Sequence, residues 1–95
     1  MIQTLSRTLL EELTWDRSRV TSVDWKSYPI LTFPDVPKIE IMLIDRPDKP
    51  AWGVGEPSCA PVPAALANAM FDATGVRVRT APFRPERVKP LLSPA

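Results

Sequence analysis

The 95-residue sequence holds no histidine and a single cysteine, Cys59. With one cysteine, no disulfide can form within the chain. A zinc or iron–sulfur centre built from this chain alone would lack its imidazole and thiolate ligands, so no metal-ligating set is assigned. A nucleophilic triad that relies on histidine is excluded. Net charge is scarce as well: 12 Lys and Arg against 11 Asp and Glu leave +1. The two signs are intermixed, so nothing marks a nucleic-acid or acidic-membrane partner. No apolar run approaches the roughly 18 residues that a membrane span needs. The opening residues, Met-Ile-Gln-Thr-Leu-Ser-Arg, lack a basic region followed by an apolar one. No signal peptide is therefore expected, and the expected location is the cytoplasm.

Proline is the residue in excess, with 12 copies against a usual share of about 5%. The prolines are scattered from Pro29 to Pro94 and read as loop stiffeners, not as a low-complexity linker. The apolar share of 44% is ordinary. The length suits one small domain over residues 1–95, with a thin margin for a core.

Leu5, Leu9, Leu10 and Leu13 recur at helical spacing, predicting a helix over 3–13 with Arg7, Glu11 and Glu12 on its polar side. Arg7 and Glu11 are spaced as an i,i+4 pair. Thr14, Trp15, Val20, Thr21, Val23 and Trp25 favour strand, and 16–19 supply turn chemistry, predicting a hairpin over 13–25. The two tryptophans read as core or cross-strand packing in preference to ligand contacts. Residues 26–37 read as irregular. The alternation in 38–45 predicts the best strand: Ile39, Ile41 and Leu43 on one face, Glu40, Met42 and Ile44 on the other. Both faces are largely apolar, so this strand is expected to be covered on both sides.

A helix is predicted over 62–74, with Pro63 in its first turn and Gly75 as its left-handed stop. Its alanines allow close approach of another backbone. Val76-Arg77-Val78-Arg79 reads as a short strand with valines inward. Its arginines, Arg77 and Arg79, suit a solvated strand face in preference to an anion site. Pro85 is placed to open a last helical turn, and the tail beyond Pro90 is expected to fray. The fold class expected from these elements is α+β: a small mixed sheet, hairpin plus strands, packed with two main helices.

Between strand and helix lie residues 46–61, long enough without periodicity to suggest a functional loop. They carry Gly53-Val54-Gly55-Glu56-Pro57. Glycine permits a tight turn or a close approach. Proline stiffens the chain just after the glutamate. Glu56 thus reads as a directed carboxylate near a helix N-terminus, where anions are favoured. Taken alone, the stretch reads as a surface turn with a solvated glutamate in preference to a directed one. Cys59 reads as a small loop residue.

The string Gly-Val-Gly-Glu-Pro followed by Pro-Val-Pro-Ala-Ala-Leu-Ala-Asn-Ala-Met-Phe-Asp-Ala-Thr-Gly-Val-Arg-Val-Arg resembles the C-terminal end of the molybdopterin-binding subunit of molybdenum hydroxylases. This is the xanthine dehydrogenase/aldehyde oxidase family, and the resemblance is to its isoquinoline 1-oxidoreductase and nicotinate dehydrogenase branch. Leu10-Glu11-Glu12-Leu13-Thr14-Trp15-Asp16, Asp24-Trp25-Lys26-Ser27-Tyr28 and Pro37-Lys38-Ile39-Glu40-Ile41 resemble it too. The resemblance implies that Glu56 is the catalytic base at the molybdenum centre, for hydroxylation of an aldehyde or N-heterocycle. It implies that Gly53, Val54 and Gly55 lie against the cofactor, a molybdenum–molybdopterin of the cytosine dinucleotide form. It also implies two partners: the rest of the molybdopterin-binding subunit, and an iron–sulfur subunit or domain. The isolated chain is expected to be inactive and to hold no cofactor, because most of the family's cofactor contacts lie in parts absent here. The alternative is a stand-alone, non-catalytic paralogue acting as an interaction module.

Overall fold

The computed structural model describes residues 1–92. Among them are three α-helices: α1 (Ile2–Leu9), α2 (Pro61–Thr74) and α3 (Pro85–Leu92). Two short 3-10 turns, Phe33–Asp35 and Glu56–Cys59, complete the regular structure.

The expected α+β fold is corrected: no strand or sheet forms among the described residues. The predicted hairpin over 13–25 reduces to one antiparallel bridge between Trp15 and Val20. The turn inside it is well made. Asp16 Oδ1 accepts from the Ser18 and Arg19 amides at 2.7 and 3.0 Å, and the Asp16 amide donates to the Arg19 carbonyl at 3.0 Å. The strand predicted over 38–45 makes no ladder, and its apolar side chains are uncovered. The pattern asks for neighbours that this chain does not supply. The tryptophans are corrected for the same reason, since Trp15 and Trp25 stay 72% and 74% exposed.

α2 forms for local reasons. Pro61 sits in its first turn, alanine and leucine fill it, and Gly75 stops it at φ 71°, ψ −1°. The Gly75 amide donates to the Phe71 carbonyl at 2.7 Å, closing the last turn. Only one stripe of α2 is used: Leu66, Ala67 and Met70 pack on the core. Its other apolar side is open, and Phe71 carries the Arg77 guanidinium over its ring at 3.9 Å.

α1 is shorter than the predicted 3–13, and the face it buries differs. Thr4, Ser6 and Thr8 are its buried residues, while Leu13 is exposed. The reason is contact on several sides. The Leu31 amide donates to Ser6 Oγ at 2.9 Å, and Thr8 Oγ1 donates back to the Thr4 carbonyl at 2.7 Å. The Phe83 amide donates to the Thr8 carbonyl at 2.7 Å. Each buried hydroxyl is satisfied, so polar residues are tolerated where leucines were expected. The predicted Arg7–Glu11 pair is absent; Tyr28 Oη donates to Glu11 at 2.9 Å instead.

The core is Val78, Phe83 and Val88, with Leu9, Leu66, Ala67 and Met70 against it. Val78 points inward as the alternation predicted, although 76–79 pairs with no strand. α3 begins at Pro85 as expected and runs through Pro90 to Leu92. The expected fraying is therefore not seen at residues 91 and 92, and the rest of that tail lies outside the described residues. Arg84 ties α3 to the end of α1, donating through Nε and Nη2 to the Leu10 carbonyl at 2.8 and 2.5 Å. Glu12 pairs with Arg84 at 3.6 Å and with Arg87.

This core is small for the chain. A compact protein of 10.6 kDa exposes about 5,500 Å², whereas this one exposes 8166 Å². Its radius of gyration is 16.7 Å, against about 13 Å for a compact domain of 100 residues.

Candidate functional site

Glu56 opens the 3-10 turn Glu56–Cys59, with Pro57 in the turn's first positions. Pro57 fixes its own φ and lacks a donor, which suits it to the start of a helical turn. Ser58 Oγ donates to the Gly55 carbonyl at 2.9 Å and closes the bend. The turn runs through Ala60 directly into α2. Glu56 therefore stands one short turn ahead of a helix N-terminus, as the sequence suggested.

The turn faces the start of α1. Thr4 Oγ1 donates to Cys59 Sγ at 3.7 Å, and the Met1 nitrogen lies 3.5 Å from Ser58 Oγ. Between them is an open cleft of about 520 Å³, walled by Gly55, Glu56, Ser58 and Cys59 on one side and by Met1, Gln3, Thr4 and Arg7 on the other. Arg7 is the residue that the sequence reading placed only on a polar face. It enters the same cleft as Glu56 from 49 positions earlier in the chain, a juxtaposition with no local sequence signal.

The Glu56 carboxylate is exposed and, among the described residues, is engaged by no hydrogen bond or ion pair. The backbone beneath it is fixed by the turn, whereas the side chain has no partner holding it in one direction. Gly53 and Gly55 are exposed too. A Cβ built on either meets no atom within 4 Å, and neither has positive φ. Within this chain, then, neither glycine is required for a tight turn. What they leave is bare backbone beside a free carboxylate, open to whatever approaches. Val54 is 85% exposed alongside them.

These residues fit a molybdopterin as one wall only. Open backbone at 53–55 permits close approach, and Glu56 is available as a proton acceptor. Among the described residues no group of three or more His, Cys, Asp or Glu side chains could hold a metal ion. Among the described residues no helix is long and apolar enough to cross a membrane.

Comparison with known proteins decides the family. The chain is 47% identical over 92 residues to a subunit of nicotinate dehydrogenase from Pseudomonas putida, covering 97% of this chain and 8% of that protein. It is 36% identical over 90 residues to the aldehyde oxidoreductase molybdenum-binding subunit PaoC of Escherichia coli, covering 87% and 12%. By sequence it belongs to the molybdenum hydroxylase family. A third relative, the beta subunit of isoquinoline 1-oxidoreductase from Brevundimonas diminuta, is 31% identical over 85 residues, covering 90% and 11%. No family model matches the chain. The chain spans about a tenth of the length of these relatives, from 8% to 12%.

Proposed function

We propose that this chain forms the C-terminal part of a molybdenum-binding subunit and supplies the general base of a hydroxylation reaction. Glu56 is that base. The observation that carries the reading is the Glu56 carboxylate in the wall of an open cleft, beside Gly53 and Gly55, which have open space around them. When bound, the molybdenum cofactor supplies the oxidising centre that accepts two electrons from the substrate. This chain's part is narrower. Residues 53–55 form a wall against the cofactor, the Ser58-to-Gly55 hydrogen bond holds the bend, and Glu56 accepts a proton. A positioned base typically contributes about 10²–10⁴-fold to rate.

The cofactor we propose is the cytosine dinucleotide form, and the substrate class is an N-heterocycle or an aldehyde. Relatives named for nicotinate, isoquinoline and aldehyde support that class. The proposed partners are the remainder of the subunit and an iron–sulfur subunit or domain. A second reading, a non-catalytic interaction module, draws on the apolar side chains that this chain leaves exposed.

A chimera separates the two. The Pseudomonas putida protein receives this chain in place of its 92 matched residues and is assayed as a complete enzyme on nicotinate. Glu56→Gln keeps size and hydrogen bonding but removes the basic oxygen. The expected result is full molybdenum content with turnover lowered by at least about 100-fold. Full molybdenum content with turnover within about tenfold of the parent would sink the catalytic assignment.

A further inference from the structure

The longest uncovered apolar stretch is not at the Glu56 cleft. Ile41, Met42, Leu43 and Ile44 are 74%, 87%, 89% and 81% exposed. Among the described residues, no backbone amide or carbonyl of residues 38–45 takes part in a hydrogen bond. The stretch is tethered at its start, where an open cleft of about 250 Å³ brings Ile39 beside Ile2, Leu5 and Val62. Glu40 still lines that cleft, and the side chains of residues 41–44 beyond it are exposed.

We propose that residues 38–45 are an interior strand of a β-sheet whose flanking strands belong to the rest of the molybdenum-binding subunit. This rests on the proposed function, in which the chain is part of such a subunit. The side-chain pattern selects the kind of partner. Ile39, Ile41 and Leu43 line one face and Met42 and Ile44 the other, with Glu40 the one charged residue between them, so both faces are largely apolar. A strand at a wetted edge shows one polar face; a strand apolar on both is buried on both. Unpaired amides and carbonyls on both sides suit addition to an open sheet edge, where backbone hydrogen bonds give affinity and side-chain pockets give register.

The occupant can be argued from size. The chain matches 8–12% of its relatives' lengths, so roughly nine-tenths of the subunit lies outside it. The surface left bare exceeds that of a compact protein of this mass by roughly 2,700 Å². That excess, on one partner alone, is larger than the whole area buried in a standard protein–protein interface, about 1,600 Å² counted over both sides. Contact with the missing part of the fold accounts for it. The strand also ends only eleven residues before Glu56, so its docking fixes where the loop bearing the carboxylate begins.

Hydrogen exchange tests this on the free chain and on the Pseudomonas putida chimera. In the free chain the amides of residues 39–45 exchange at unprotected rates. In the chimera they slow by at least about 100-fold. Unprotected exchange at 39–45 in a chimera that holds molybdenum would overturn the proposal. So would protection in the free chain that grows with concentration, because the occupant would then be a second copy. If the chimera does not assemble, the free chain still decides. Ile41→Lys with Leu43→Lys should leave its circular dichroism and thermal midpoint unchanged, and a lowered midpoint would mean that the strand packs on this chain itself. Protection at 39–45 together with normal turnover of Glu56→Gln would uphold the strand and sink the base.

Discussion

Gly75→Ala isolates one backbone effect. Gly75 follows the last residue of α2 at φ 71°, ψ −1°. A Cβ there meets no atom within 4 Å, so no steric clash with neighbours enters the cost. What remains is the intrinsic penalty of a left-handed conformation for an L-residue, about 1–2 kcal/mol. With a urea slope of about 1–2 kcal/mol per molar, the unfolding midpoint should fall by roughly 1 M. Gly75→Asn should lose less, because asparagine tolerates this region better. The assay is urea unfolding of both variants followed by helical circular dichroism. An alanine midpoint equal to that of the parent would refute the argument. So would an asparagine variant weaker than the alanine one, since side-chain volume would then matter where the space is open.

Glu12→Gln should lower stability by about 1 kcal/mol, between the worth of an exposed ion pair and that of a charged hydrogen bond. Glu12 is the half-buried partner of both Arg84 and Arg87, and the loss should shrink in high salt. Glu40→Gln, which breaks the exposed Lys38 pair, should stay within about 0.5 kcal/mol of the parent under the same denaturation assay. Asp16 and Asp24 titrate below the ordinary carboxylate value of 3.8, held there mainly by donors from Ser18 and from Ser27. Their folded values are depressed, so the turns they cap gain full support above pH 3.8 and lose it as pH falls through the lower folded values. The Ser18 and Ser27 amide chemical shifts should move in that acid window and stay flat above it.

The parts of the fold legible in the sequence are those decided locally. α2 could be read, to within one residue at its start, because start, body and stop are each written in neighbouring residues: Pro63, the alanines, and Gly75. Pro85 announced α3 in the same way. The inward setting of Val78 followed from a two-residue alternation. α1 was misread because a leucine stripe identifies the buried face only when the opposite face meets water. Here Leu31, Cys59 and Phe83 reach α1 from elsewhere, and its hydroxyls find partners there. At the candidate site, Glu56 stood out through its Gly-x-Gly-Glu-Pro context. Arg7 did not, since only the meeting of α1 with the 3-10 turn brings it to the cleft.

The missing sheet has another origin. Alternating apolar residues record what a segment is built to touch, and a structure of this chain alone can satisfy only contacts that lie inside it. Trp15, Trp25, Ile41, Leu43 and Trp52 all keep more than 70% of their surface. The apolar share of 44% is ordinary, yet among the described residues the buried apolar core is three residues. Composition and core can be reconciled if the apolar side chains belong to a larger interior. The same deficit bears on Glu56. A carboxylate in open water gains little as a base, because water competes for its lone pairs and weakens every nearby charge. On the proposed reading, the surface that covers residues 38–45 also walls in the loop that comes after them. Docking of the strand and partial desolvation of Glu56 are then one event, and the base acquires its working environment only when the strand has found its sheet.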